Sequence, residues 1–420
     1  MRAPLALIAL AIALASADAA DPYIRTTERD GGVVALETAS RVFEDDAGRR
    51  VTLVGVTHVG DAPYYEELED LLNEHERVHY EGVGPAWRDI ASDASDRDRA
   101  RFTRARMRDA AAELLSGYRS GGRARTAEAW LESYPPFRRR TMITAMTDGW
   151  GNPITLDIDT KERTYTFTSL GADGEPGGAG ADADFERTGD IRLGNERDPA
   201  EDAIQSRLAE AAGLAFQLDE MDYMPESWHN SDATLAELFG VEPGAMLGDL
   251  NADPAADAAS DDPLFAMLSG ESGIAKVIGS VLGVIGNSPR SSFMFRVMLV
   301  ELLGGADASV LAAGLGDEMA DMLLHRRNQI VIDDVRDAFA DDPALRSLAV
   351  FYGAAHLDDL DERIRALGFE PVGTTWHAAI TADPADVGIE PEQAAAFRTF
   401  VSSMVQMQMA QMREMQQRDD

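Results

Sequence analysis

The chain has 420 residues, a formal charge of −36 and 45% hydrophobic residues. That apolar share excludes wholesale disorder, and the length accommodates two or three modules. The acidity argues against a nucleic-acid groove and an anionic membrane surface, and the absence of cysteine excludes disulfides, zinc ribbons and thiol nucleophiles.

Arg2 precedes an apolar run from Leu5 to Ala15, then Ala15-Ser16-Ala17 and Ala17-Asp18-Ala19. This pattern reads as a secretory signal over residues 1–20. The run falls short of the roughly 20 apolar residues a spanning helix needs. A periplasmic or secreted protein with no membrane span after signal removal is expected.

Val33 to Leu36 reads as a strand closed by a polar turn, and Arg50 to Val56 as an apolar strand. Pro63 to Glu76 reads as a helix with Leu68, Leu71 and Leu72 on one face. Arg77 to Glu81 reads as a third strand, stopped by Gly82-Val83-Gly84-Pro85. Strand, helix and strand at this spacing suggest a βαβ unit. Ser92 to Trp130 is helical and highly charged; Asp148 to Phe185 is rich in Gly, Thr and Asp, with two short alternating strands. Helices resume from Pro199, Glu242 to Pro263 reads as a solvated loop, and Gly273 to Gly286 as a buried apolar segment. A helix from Asp317 to Ala340, a strand from Leu348 to Tyr352, a helix from Leu357 to Leu367 and a strand near Trp376 follow. A Met/Gln-rich helix, Met404 to Gln417, ends the chain; its soft methionines suit packing on its own domain or a partner.

Two strands end alike, in Gly55-Val56-Thr57-His58 and Gly353-Ala354-Ala355-His356. Carboxyl ends of strands line the ligand crevice of open α/β sheets. Glycine there is expected to let the backbone turn so that the histidine projects into the crevice. Glu81 ends a neighbouring strand in the same manner. Two imidazoles and a carboxylate make a plausible divalent-metal set, whose ion would lower the pKa of a bound water. The bland alternative is three unrelated residues at strand ends. His75-Glu76-Arg77-Val78-His79 also fits H-E-x-x-H, but that zinc motif needs both histidines on one helical face, and Val78-His79-Tyr80 reads as strand. His229 lies in the polar loop Trp228 to Asp232, which is able to edge the site; for it, for His325 on a helix and for His377 near a strand end, surface or structural roles are favoured.

Leu53 to Asp61, Tyr64-Tyr65 and His79-Tyr80-Glu81 resemble the TraB/GumN/Tiki family. Leu214 to Asp219, Arg327-Asn328, Phe351 to His356, Leu367-Gly368-Phe369 and Thr375-Trp376 continue the resemblance in motif order. It implies an α/β (α+β) fold, a mixed central sheet flanked by helices, over residues 30–90 and 205–382. It also implies a metal-dependent hydrolase or peptide-sequestering protein, acting on a peptide or small-molecule ligand. His58, Glu81 and His356 would form the metal and catalytic centre, with Mn, Co or Zn as the ion. Arg327 would be a polar partner able to steady an oxyanion, its bland role being a helix-surface ion pair.

The segment Ser169 to Asp184 carries Gly171, Gly174, Gly177, Gly178 and Gly180 among acidic residues. Glycines can turn backbone carbonyls inward, and calcium takes roughly six to eight oxygen ligands; a flexible solvated turn is the alternative. With Trp150-Gly151-Asn152-Pro153 and Ser169 to Gly174, the stretch Asp148 to Phe185 resembles the C-terminal half of the major pseudopilin of type II secretion. That resemblance implies a calcium site at the Leu170 carbonyl, Asp173, Asp182 and Asp184. It also implies a secretion-system or envelope partner, and an inserted hairpin-and-loop calcium module over residues 100–195. Residues 383–420 are left as the C-terminal helix.

Overall fold

The computed structural model describes residues 22–119, 122–191, 213–241, 247, 288–305 and 321–419. The signal segment, the helix from Pro199, the segment Gly273 to Gly286, residues 317–320 and all of the Glu242 to Pro263 loop except Leu247 lie outside the described residues.

In chain order, β1 (Ile24–Arg29), β2 (Val33–Glu44), β3 (Arg50–Val56) and β4 (Val59–Gly60) lead into α1 (Ala62–Asn73) and β5 (Arg77–Tyr80). Then come α2 (Asp96–Arg119), α3 (Ala127–Glu132), α4 (Pro136–Ala145), β6 (Thr155–Asp159), β7 (Thr164–Ser169) and β8 (Phe185–Asp190). They are followed by β9 (Ala215–Phe216), α5 (Gln217–Glu220), β10 (Trp228–Asn230), α6 (Leu235–Leu238) and α7 (Pro289–Gly305). Last are α8 (Arg326–Asp341), β11 (Ser347–Gly353), α9 (Leu357–Ala366), β12 (Glu370–Ala382) and α10 (Pro391–Asp419). The described residues fall into two compact units: 22–82, 213–232 and everything from 288 onward in one, 83–191, 233–241 and 247 in the other.

The first unit is built on a mixed sheet ordered β1-β2-β3-β11-β5-β10, with β12 also paired to β2. β11 lies between β3 and β5 and is parallel to both, so the βαβ crossover through α1 leaves a slot that a strand nearly 300 residues later fills. β3 and β11 are buried along almost their whole length, as strands covered on both faces must be. On α8, Val331, Ile332, Val335, Ala338 and Phe339 form one apolar stripe; with Leu357, Leu360 and Ile364 of α9 they pack against Phe43, Leu53 and Val350 of the sheet. A second core joins α7 to Val34, Leu36 and Ile380, with Ala394 of α10.

Several elements differ from the sequence reading. β2 does not stop at Leu36 but runs on to Glu44, and β1 pairs with its first half. The polar residues that read as a turn are buried and paired: Arg25 and Arg29 donate to Glu37, at 2.7 and 2.8 Å, and Arg41 is paired with Asp361. The chain instead turns at Asp45, whose carboxylate accepts the Ala47 and Arg49 N–H groups. Helix α10 begins 13 residues before Met404 because Ala394, Phe397 and Val401 dock on α7.

In the second unit, β6, β7 and β8 form an antiparallel sheet, one strand more than the two expected. Phe167 and Tyr165 face a core with Ala105, Ala110, Leu114 and Trp130. Arg106 holds its interior together by donating to the backbone oxygens of Trp87, Arg88 and Thr147.

Candidate functional site

β3, β5 and β11 run in one direction, so their carboxyl ends share an edge of the sheet. The residues that follow them are His58, Glu81 and the short turn Ala354–His356. Glu81, His356 and Arg327 meet there. Arg327 Nη2 donates to Glu81 Oε1 at 2.5 Å, and the Gly353 N–H donates to Glu81 Oε2 at 2.6 Å. His356 Nε2 lies 3.6 Å from the same Oε1. Burial opposes the charge on Glu81, but Arg327 above all, then the two imidazoles and the Gly353 N–H, hold its carboxyl well below the usual range.

Arg327 is not on a helix surface: it is 9% exposed, on the first turn of α8. Its other partner is Asp232, fully buried, reached from Nε (2.9 Å) and Nη2 (2.7 Å). Asp232 also accepts the Gly82 N–H at 2.9 Å. The sequence points to Asp232 only as the last residue of a polar stretch, Trp228 to Asp232, able to edge the site, and gives it no role of its own.

His356 caps α9 and is 5% exposed. Its Nδ1 lies 2.7 Å from Asn328 Oδ1, and its ring stands edge-on to Tyr352 at 5.3 Å. Burial pushes the imidazole down to about 4, with Glu81 pulling the other way, so it is neutral near pH 7. His58 acts electrostatically on both Glu81 and His356 but is held by Gln217, whose Oε1 is 2.8 Å from its Nδ1. Tyr64 and Tyr65 brace the turn before it, through the Gly55 and Thr57 oxygens. Asn328 and Gln217 belong to the quoted motifs, but only the fold shows what they touch.

The two glycines do not serve as turn formers. Gly353 has φ −48°, and Gly55 does not adopt positive φ. They serve close approach: a Cβ on Gly353 would lie 3.0 Å from Glu81 Oε2, and one on Gly55 2.9 Å from Leu357 Cδ1.

His75 lies beyond the end of α1, bonded to Thr52 and the Leu71 oxygen, while His79 is in β5, so the two never share a helical face. His229 is in β10 rather than a loop, 6.1 Å from the His79 ring. His377 is buried within β12, between Ser40 and Glu67, and His325 is 3.6 Å from Asp359.

Among the described residues no three His, Asp or Glu side chains stand together as a ligand set. The pair Glu81 Oε1 and His356 Nε2 does suit one ion: donors to a tetrahedral zinc at ~2.1 Å stand about 3.4 Å apart. In the acidic loop, the Asp184 carboxylate accepts the Gly177 N–H at 3.0 Å, and Asp173 Oδ1 the Glu175 N–H at 3.0 Å. Asp182 ends a single 3-10 turn, Gly180–Asp182, and Leu170 is half-buried. Gly171, Gly174, Gly177, Gly178 and Gly180 all have positive φ, the backbone freedom that wraps this loop.

Residues 125–188, within the second unit, match the family described as type II secretion system (T2SS), protein G. No curated protein and no solved structure matches the chain. Among the described residues no helix is long and apolar enough to cross a membrane.

Proposed function

We propose that this is an exported hydrolase acting on peptides, with a TraB/GumN/Tiki-like core over residues 30–90 and 205–382. The observation that carries the reading is the meeting of Glu81 and His356, from strands far apart in sequence, at the carboxyl edge of parallel strands with a 3.6 Å gap between them. His58 and His356 through their imidazole nitrogens, with Glu81, would hold a divalent ion, Mn, Co or Zn. Such an ion when bound supplies an acidified water and a polarised carbonyl. The chain's own part is to keep His356 neutral, with a lone pair to offer at Nε2, and to hold Glu81 ionised. Arg327 brings a fixed positive charge to the edge, suited to an oxyanion.

The match of residues 125–188 supports an insert of about 100–195 that resembles the major pseudopilin of type II secretion, and with it export and a secretion-system or envelope partner. The Leu170 carbonyl, Asp173, Asp182 and Asp184 would hold calcium there. The division of the described residues into two compact units fits an insertion.

One observation favours a second reading, a binding protein that sequesters a peptide without cleaving it. Both oxygens of Glu81 are already taken, by Arg327 and by the Gly353 N–H. The discriminating experiment measures metal content and cleavage of a peptide library by the purified chain and by His58→Ala and His356→Ala. Bound metal with turnover lost in both variants is the expected result. Turnover absent from the parent, or unaffected by either substitution, sinks the hydrolase.

A further inference from the structure

We infer that Asn328 is a positioning residue that fixes His356 in the Nδ1–H tautomer and so leaves a bare Nε2 lone pair facing Glu81. The inference rests on the functional reading of this site.

The amide end of Asn328 is fixed by two acceptors. Its Nδ2 donates to Asp359 Oδ2 at 2.7 Å and to the His356 backbone oxygen at 3.2 Å. A carboxylate and a peptide oxygen only accept, so both amide hydrogens are committed and the amide cannot be turned over without setting oxygen against two oxygens. Asp359 is itself held as a carboxylate by Arg363 Nε, at 2.7 Å. Asn328 Oδ1 therefore faces His356 Nδ1, 2.7 Å away. An amide oxygen carries no hydrogen, so the ring nitrogen must supply it. A neutral imidazole has one N–H, and once Nδ1 carries it Nε2 has none.

The consequence appears across the ring. Nε2 and Glu81 Oε1, 3.6 Å apart, are then two acceptors with no proton between them. A substrate N–H, a water or a divalent ion is what such a gap accommodates. The arrangement at metal-binding histidines is the same: the ring nitrogen away from the ion is held by an outer oxygen, and that bond sets the tautomer. Gln217 repeats the contact at His58, but its Nε2 meets the Tyr223 hydroxyl, which can donate or accept, so the same logic assigns no tautomer there.

The test is selective ¹⁵N labelling of the seven histidines in the full chain and long-range ¹H–¹⁵N correlation near pH 7. His356 is assigned by the loss of its signals in His356→Gln. Wild type is expected to show the Nδ1–H form. Asn328→Leu removes the acceptor and should move the ring to Nε2–H. Because that change strands the His356 oxygen and Asp359, Asp359→Asn is the second variant; it lets the Asn328 amide turn and should add an Nε2–H population. A wild-type ring protonated on Nε2, or one that stays Nδ1–H in every folded variant, overturns the inference. Zn²⁺ alone separates it from the functional reading. A shift of the His356 Nε2 signal supports both, and no shift with the expected tautomer sinks the metal reading and leaves the role of Asn328 standing.

Discussion

Arg327 and Asp232 meet face to face, two nitrogens to two oxygens, with Asp232 fully shielded from water. Removing one partner of such a pair leaves an uncompensated buried charge, which costs about 3–5 kcal/mol. Asp232→Ala is therefore expected to lower unfolding stability by about that much, measured by urea titration. Glu81 keeps a hold on the guanidinium, so the loss should sit at the lower end. Arg327→Leu combined with Asp232→Ala should cost less than the two single losses added together. Strict additivity would mean the bidentate pair is not energetically coupled.

The two site glycines are crowded by different atoms, so alanine at each should do different damage. In Gly55→Ala the new methyl would lie 2.9 Å from Leu357 Cδ1 and 3.2 Å from the Ala39 oxygen, inside the sheet-helix core. Overpacking of this kind costs about 1–3 kcal/mol. In Gly353→Ala the crowded atom is Glu81 Oε2, 3.0 Å away, so the strain falls on the site. We expect Gly353→Ala to stay near parental stability and to lose roughly 10–100-fold in zinc affinity, the usual effect of disturbing a group that holds a ligand. Calorimetric titration with zinc checks it, and an unchanged affinity would show that the Gly353 N–H does not matter to the site.

That His58, Glu81 and His356 follow parallel strands at one edge was legible because Gly-x-x-His recurs at the ends of two apolar strands, and parallel strands place like ends together; of the three, Glu81 and His356 come within 3.6 Å of each other. The length of β2 was not. Glu37, Thr38, Ser40 and Arg41 are polar, and only partners up to 337 residues away make their burial tolerable. Periodicity reports which residues are apolar, not which polar ones will find a mate. Asp232 was missed for the same reason: what makes it part of the site is Arg327, 95 residues later. Arg327 in turn was expected either at the site or on a surface, and its burial at the site follows from Asp232 and Glu81 sharing its charge.

His79 carries a pH dependence of stability. It is 4% exposed in β5, and its Nδ1 makes no hydrogen bond among the described residues. Burial first, then the charges of His229 and Arg77, pushes its pKa down to about 3. An unfolded chain binds the proton near pH ~6.5, so as pH falls below that value the unfolded state gains a proton the folded state refuses. Stability should fall by up to about 1.4 kcal/mol per pH unit on this account, most of it recoverable above pH ~6.5. His79→Leu removes the proton site and should flatten the profile of urea midpoints between pH ~4 and ~7. His75 and His356 shift in the same direction and stay in the variant, so some slope remains. An unaltered slope would show that His79 titrates normally in the fold.

The acidic loop offers a contrast between two of its carboxylates. Asp184 caps the Gly177 N–H, so Asp184→Ala should destabilise the second unit with or without calcium. Asp182 accepts no hydrogen bond among the described residues, and the side chain is exposed. If it is a calcium ligand, Asp182→Asn leaves stability in chelator unchanged and removes only the gain that calcium gives. A ligand at 100-fold its Kd adds about 2.7 kcal/mol to the folded state. We expect calcium to raise the thermal midpoint of the full chain and to raise that of Asp182→Asn by less than half as much. A parental midpoint indifferent to millimolar calcium would leave the loop as a glycine-wrapped turn, its acids serving only to cap their own backbone.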